Sequence, residues 1–233
     1  MSADVDIEWS TGSAHDFHHR PLELVDGRPA VWIHQVDRPA LVLGSSQSDD
    51  IIDRSAAEAS GWEVSGRRSG GGIVVVEPGE SCWIDVLLPR GHARWSEDVN
   101  AAFHWVGEWW RLALADLGLE GLEVHSGPIT DREHGRAVCF AGVGPGEVLQ
   151  RHGDRRMKVV GLSQRRTRDV ARFQGLYLRR WNPEPIERFV SPDALPGDLD
   201  LGSVAAGAAP GAPSPADVAE AFVARANVVD HNT

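Results

Sequence analysis

Apolar residues arrive along this chain mostly in short β-branched runs, broken by one long stretch of helical period. Residues 30–36 (Ala-Val-Trp-Ile-His-Gln-Val) and 40–44 (Ala-Leu-Val-Leu-Gly) flank Asp37-Arg38-Pro39, a pattern that predicts a hairpin. Residues 53–60 suit a short helix closed by Gly61, and 62–66 a short strand. A second pair of strands, Ile73 to Val76 and Cys82 to Leu88, is expected on either side of the turn Glu77-Pro78-Gly79-Glu80. From Ser96 to Leu117 the residues Val99, Phe103, Val106, Trp110, Leu114 and Leu117 recur at three- and four-residue steps, which predicts an amphipathic helix capped by Ser96 and stopped by Gly118. Trp105 and Trp109 widen its apolar stripe and read as packing residues. Further strands are expected at 122–125, 137–140, 147–150, 156–163 and 173–178, with Arg151-His152-Gly153-Asp154 as a hairpin turn. Residues 191–213, rich in Pro, Gly and Ala, read as a loose connection to a last helix opened by Ser214-Pro215 and running to about Val229. Strands predominate without regular βαβ alternation, so the expected class is α+β with a mixed β-sheet and flanking helices. The expected organisation is a core over 1–190, the connection 191–213, and a C-terminal helix in 214–233 packed on the same domain.

Composition narrows the function. A chain of 233 residues with 24% charged and 42% hydrophobic residues is sufficient for one domain with a real core. Its net charge of −11 argues against a nucleic-acid or anionic-membrane binder, whose partners are held by basic surface. Met1 to Asp6 carries neither a basic segment nor an apolar run, and no stretch approaches the ~18 apolar residues of a membrane span. Two cysteines, Cys82 and Cys139, suit a reducing compartment, and the expected location is cytoplasmic.

The candidate chemistry starts with Lys158, the only lysine among the 23 lysine and arginine residues. It sits in Arg155-Arg156-Met157-Lys158-Val159-Val160-Gly161-Leu162-Ser163-Gln164. A compact ammonium on a flexible stem can follow a carboxylate as it becomes a phosphoanhydride, which the broad arginine fork cannot do. The alternative is a leftover surface lysine. Arg67-Arg68 before Ser69-Gly70-Gly71-Gly72 suggests an anion cradle: glycines let backbone amides approach a ligand, and two arginines add forked donors. The loop Gly142 to Glu147 precedes a strand and not a helix, so it is no dinucleotide fingerprint. His15, His18 and His19 have a spacing that suits a metal, but without supporting ligands they read as an exposed helix end. Cys139 at the end of an expected strand is either a nucleophile or an inert buried thiol.

In order, these segments resemble the lipoate-protein ligase A family, within the biotin/lipoate ligase and transferase superfamily. Ala40-Leu41-Val42-Leu43-Gly44-Ser45-Ser46-Gln47 is similar to the family's apolar strand ending in G-x-x-Q, Arg67 to Gly72 to its R-R-x-G-G-G, and Lys158 to Gln164 to its K-[VIL]-x-G-x-[AS]-Q. The resemblance implies a class II synthetase-like catalytic domain that activates lipoate or octanoate with ATP and Mg2+ to an acyl-adenylate. It then passes the acyl group to a lysine of a lipoyl carrier domain of a 2-oxoacid dehydrogenase or of the glycine-cleavage H protein. By position, Arg67 and Gly72-Ile73-Val74-Val75 would hold the nucleotide, and Lys158 would contact both the acyl carboxylate and the α-phosphate. Arg68, Ser69, Gly70, Gly71, Gly161, Ser163 and Glu147 would bind substrate, with Val75, Val159 and Trp83 lining a slot for the acyl chain.

Three features depart from that pattern. Val76-Glu77 stands where many family ligases carry His-Asp. Family ligases that perform the full reaction often bring a C-terminal accessory domain, and this chain ends soon after its last helix, so the resemblance leaves a separate accessory subunit as an expectation. Cys139-Phe140 ahead of Glu147 resembles the octanoyltransferase branch, in which a cysteine near this place takes the acyl group as a thioester. A non-catalytic protein that binds lipoate or the carrier domain is the remaining alternative.

Overall fold

The computed structural model describes residues 5–229, with side chains to Ala226. Among the described residues ten strands and six α-helices run in chain order: β1 (Asp6–Gly12), α1 (Ala14–His19), β2 (Ala30–Val36), β3 (Ala40–Leu43), α2 (Arg54–Ala59), β4 (Glu63–Gly66), β5 (Val74–Val76), β6 (Ser81–Pro89), α3 (Val99–Asp116), β7 (Leu122–Val124), α4 (Arg132–Ala137), β8 (Val148–His152), β9 (Arg155–Arg166), β10 (Val170–Leu178), α5 (Glu184–Phe189) and α6 (Pro215–Val229). They build a seven-stranded sheet in the order β1-β2-β6-β10-β9-β8-β7 and a three-stranded sheet in the order β4-β3-β5. Both are mixed: β1–β2 and β3–β4 are parallel and the other neighbours antiparallel.

The helical period from Val99 onward sets one layer. Asp98 caps α3 by accepting from the amides of Asn100 and Ala101, and Gly118 with φ +84° ends it. Ser96, expected as the cap, instead accepts from the amide of Asp98, so the helix starts two residues later. The buried stripe Val106, Trp110 and Leu114 packs on Ile84, Val159 and Phe173 of the large sheet. α6 closes the same layer: Phe222 stacks on Trp109 at 4.5 Å, and the Trp109 indole donates to the Phe222 carbonyl. Ser214 and Asp217 cap α6 reciprocally, the Asp217 amide donating to Ser214 Oγ and the Ser214 amide to the Asp217 carboxylate.

Two expected hairpins are absent. β2 pairs with β1 and β6, whereas β3 pairs with β4 and β5, so residues 37–39 carry the chain from one sheet to the other. β5 and β6 part in the same way across the turn at 77–80. The reason is burial: all four residues of β3 and all three of β5 are buried, and a local hairpin cannot cover both of its own faces. The strand expected at 137–140 is also wrong. Ala137 ends α4, Val138 makes a single bridge to Ile73, and Cys139–Ala141 form a 3₁₀ turn. The hairpin at 151–154 is present, with His152 opposite Arg155 and Gly153 at φ +60°.

Period-two alternation in β5 divides the interior. Val75 packs with Leu41, Leu43, Ile186 and Phe189 beneath the small sheet, while Val74 and Val76 face Val42, Trp83, Phe140 and Leu178 between the two sheets. That second layer holds the cleft.

Candidate active site

The first two sequence motifs meet because glycines let their backbones touch, and the third reaches them through Ser163, whose hydroxyl lies 3.1 Å from that of Ser69. A Cβ on Gly44 would lie 1.7 Å from the Gly71 carbonyl oxygen, and one on Gly72 would lie 2.5 Å from the backbone of Ala137 and Val138. Gln47 bonds this junction from the side, accepting from the Gly44 amide at 2.9 Å and donating to the Ala137 carbonyl at 3.1 Å. Gly71 sits at φ +103°, a conformation that side chains rarely adopt.

Arg67 is buried and works inward. Its guanidinium donates to the carbonyls of Gly70 and Gly72 at 2.9–3.3 Å, which pins the triple-glycine loop from within. The amides of Gly72 and Ile73 are equally committed, donating to Gly135 and Ala137, and Cys139 N donates to Ile73 O. By contrast, the amides of Arg68, Ser69, Gly70 and Gly71 meet no partner among the described residues. Successive free N–H groups in a glycine turn make an anion-binding concavity. The Arg68 side chain is exposed beside it.

Lys158 is 2% exposed, and its ammonium is fully engaged by the protein. Nζ lies 2.8 Å from Glu147 Oε2 and donates to the carbonyls of Cys139 and Gly142, each at 2.9 Å. The ring of Phe140 is 4.8 Å away. Glu147 is in turn held by the amides of Gly144 (2.7 Å) and Leu162 (3.0 Å). The pair therefore ties the 139–147 loop to β9 and fixes Cys139 at the edge of the cleft. Leftover surface placement is excluded for this lysine.

The cleft encloses about 430 Å³ of space, its open mouth included, between the small and large sheets. Val42, Val74, Val76, Leu162 and Leu176 form its aliphatic walls, with Trp83, Phe140 and Gly161 beside them. Of the slot residues expected from sequence, Trp83 lines it. Val75 and Val159 do not, because alternation turns Val75 beneath the small sheet and Val159 packs in the core under α3. Cys139 and Arg67 lie on the wall, and both stand against Gly71: a Cβ there would be 3.7 Å from Sγ and 2.7 Å from the guanidinium.

Sequence reasoning missed His18, Gln174 and the polar group behind them. α1 buries Ala14, Phe17 and His18, a three- and four-residue step that marks an inward face, whereas His15 and His19 stack on each other outside. His18 packs on Trp83 at 4.4 Å. Burial pushes its imidazole well below the usual 6.5, and the nearby charge of Arg67 adds to the effect. Ser69 Oγ lies 3.1 Å from Ser163 Oγ and donates to Gln174 Oε1 at 3.2 Å, and Gln174 Nε2 is 3.2 Å from His18 Nδ1. Behind Trp83, Asp85 accepts from the Trp83 indole (2.9 Å), His34 Nε2 (2.8 Å) and Arg172. Burial alone would raise the Asp85 carboxyl, but the charges of Arg172 and His34 outweigh it and hold it well below the carboxylate range. Arg172 also donates to the Phe17 carbonyl at 2.6 Å, so one buried network fixes both α1 and Trp83. No cluster of three or more metal-donor side chains occurs among the described residues.

Comparison with known proteins places this geometry. The chain superposes on a bipartite lipoate protein ligase from Thermoplasma acidophilum, solved in a study of that ligase and its E2 lipoyl domain, at a TM-score of 0.69 and 14% identity, over 96% of this chain and 83% of that one. A lipoate-protein ligase A bound with ATP matches at 0.66 and 15% identity over 98% and 86%. LipL1 of P. falciparum in complex with lipoate matches at 0.60 and 11% over 99% and 64%. These likenesses establish the fold, a mixed α+β architecture shared with lipoate ligases. No curated protein sequence is matched. The sequence model of the lipoyl protein ligase A/B catalytic domain covers residues 16–200, and by that match the chain belongs to the lipoyl protein ligase A/B catalytic-domain family.

Proposed function

We propose that this protein attaches lipoate, or the saturated octanoyl group, to a lysine of a lipoyl carrier domain, with ATP as the activating substrate. The observation that carries the reading is an apolar cleft whose lining residues Arg67 and Cys139 stand against the Arg68–Gly71 loop, the four amides of which are unpaired among the described residues. The cleft suits an eight-carbon chain and the amides suit the anionic oxygens at its reacting end. In the first step a carboxylate oxygen attacks the α-phosphorus of ATP and pyrophosphate leaves. In the second, the carrier lysine amine attacks the acyl carbon, AMP leaves, and the amine proton passes to solvent. The loop amides, with the Arg67 charge on the cleft lining behind them, would stabilise the oxygens on which charge develops. Lys158 organises the 139–147 loop, and it would contact ligand by exchanging a neutral carbonyl for a charged oxygen, which the ammonium favours. Mg2+ would enter with the nucleotide and offset phosphate charge, and Glu147, committed to Lys158 and two amides, would not be the residue that holds it. The bipartite neighbour supports a separate accessory chain, and the E2 lipoyl domain studied with it supports that class of partner.

A second reading has its own observation. Cys139 Sγ stands in the cleft wall beside Arg67 and the free amides, where a thioester would place its carbonyl oxygen against N–H donors. In that route Cys139 displaces the carrier thiol from an octanoyl thioester, and the target lysine then displaces Cys139. One experiment separates the two: incubation with an apo lipoyl domain and either lipoate plus ATP or octanoyl-carrier protein without ATP. Modification that requires ATP and survives Cys139→Ala within about tenfold supports ligation, because an adenylate route has no thioester stage. ATP-independent transfer, lost in Cys139→Ala and with an acyl group trapped on Cys139 in the wild type, supports the thioester. Lipoate binding with neither reaction leaves a binding protein.

A further inference from the structure

Among the aliphatic walls of the cleft, His18 brings a directional hydrogen-bond donor. His18 is 7% exposed and lines the cleft, and its ring bonds through Nδ1 to Gln174 while Nε2 has no protein partner among the described residues. The polar chain behind it sets which nitrogen carries the hydrogen. Gln174 places Oε1 on the Ser69 hydroxyl and Nε2, a group that only donates, on His18 Nδ1, so with the amide in this orientation Nδ1 accepts. The hydrogen of the neutral ring therefore sits on Nε2 and opens on the cleft. The ring cannot turn away, because it is packed on Trp83 and the helix that carries it is held at its last carbonyls by Arg172.

Around this donor the walls are Val42, Val74, Val76, Leu162 and Leu176. An all-carbon chain filling the cleft would shut solvent away from Nε2–H and give it no acceptor. A chain carrying sulfur or oxygen would satisfy it, and the face of Trp83 beside His18 adds an aromatic contact that sulfur favours. We infer that His18 Nε2–H is a specificity-determining contact that selects an acyl chain bearing acceptor heteroatoms, such as the dithiolane of lipoate, over the saturated octanoyl chain. This rests on the acyl-binding reading of the cleft.

The test is calorimetric titration of the full chain with lipoate and with octanoate, for the wild type and for His18→Phe, which keeps a ring on Trp83 but removes the donor. The wild type should prefer lipoate by about tenfold or more, the scale set by stranding a buried donor, and the preference should fall to roughly twofold in the variant. Imidazole ¹⁵N spectra of the wild type give a readout independent of any variant's folding: His18 should be the Nε2–H tautomer, and lipoate, which supplies an acceptor, should move its resonance differently from octanoate, which only removes solvent. Equal affinity of the wild type for both acids, a preference retained in His18→Phe, or an Nδ1–H tautomer each overturns the inference while leaving the acyl-binding reading intact. A wild type that binds neither acid removes that reading and the inference with it.

Discussion

Replacing Lys158 by Met keeps the stem and removes the charge, which isolates what the ammonium does inside the fold. Glu147 would be left as a buried carboxylate with only the amides of Gly144 and Leu162, and two carbonyls would lose their donor. Breaking a buried pair by removing one partner costs about 3–5 kcal/mol. The stranded carbonyls of Cys139 and Gly142 add roughly 1 kcal/mol each, so the substitution should cost about 5 kcal/mol or slightly more. That is a large share of a stability on the order of 5–15 kcal/mol. Removing both charges, in Lys158→Met with Glu147→Leu, should cost far less than the two single substitutions summed, because no buried charge is stranded. Lys158→Arg should behave as badly as Lys158→Met, since a site 2% exposed and closed by two carbonyls and a carboxylate has no room for the planar fork. Urea unfolding followed by the fluorescence of the nine tryptophans measures each value. A loss below about 1 kcal/mol for Lys158→Met, or strict additivity in the double variant, would refute the argument that this lysine is a structural tie of the loop.

Three further outcomes are expected. Gly72→Ala would drive a Cβ to 2.5 Å from the backbone of Ala137 and Val138, so the α4 junction must shift; a midpoint in urea within error of the wild type would count against that packing. Native protein should react with a thiol reagent at Cys139, on the cleft wall, and not at Cys82, whose thiol is buried and pushed up by that burial, and lipoate should slow the labelling. Equal rates at the two cysteines would contradict the placement. His18 is held below the 6.5 of an unfolded histidine, so only the unfolded chain gains a proton as the pH first falls through that value. Its contribution is complete above pH ~6.5 and is lost on acidification toward its folded pKa, with a slope of up to about 1.4 kcal/mol per pH unit that His18→Gln should flatten.

The sequence by itself determined the class of the fold, its longest helix and the three segments that meet at the candidate site. Those are local matters: a 3.6-residue period from Val99 to Leu114, a two-residue turn at Gly153-Asp154, and glycines at 70–72. It also singled out Lys158 and Glu147, although not that they pair with each other. Tertiary structure decided the rest. Strand partners depend on which faces must be covered, and fully apolar β3 and β5 have no inner or outer side until both sheets exist. Alternation names two faces of β5, but only packing against Trp83 and Phe140 makes Val74 and Val76, and not Val75, the wall of the cleft. His18 looked like an exposed helix end because six residues show too little periodicity, and its chemistry comes from Gln174, which lies 156 residues away in sequence. Arg172 and Asp85, separated by 87 residues, are a buried ion pair only because β10 lies beside β6 in the sheet. Charge, hydrogen bonding and burial at the site are properties of such distant meetings, which linear spacing does not encode.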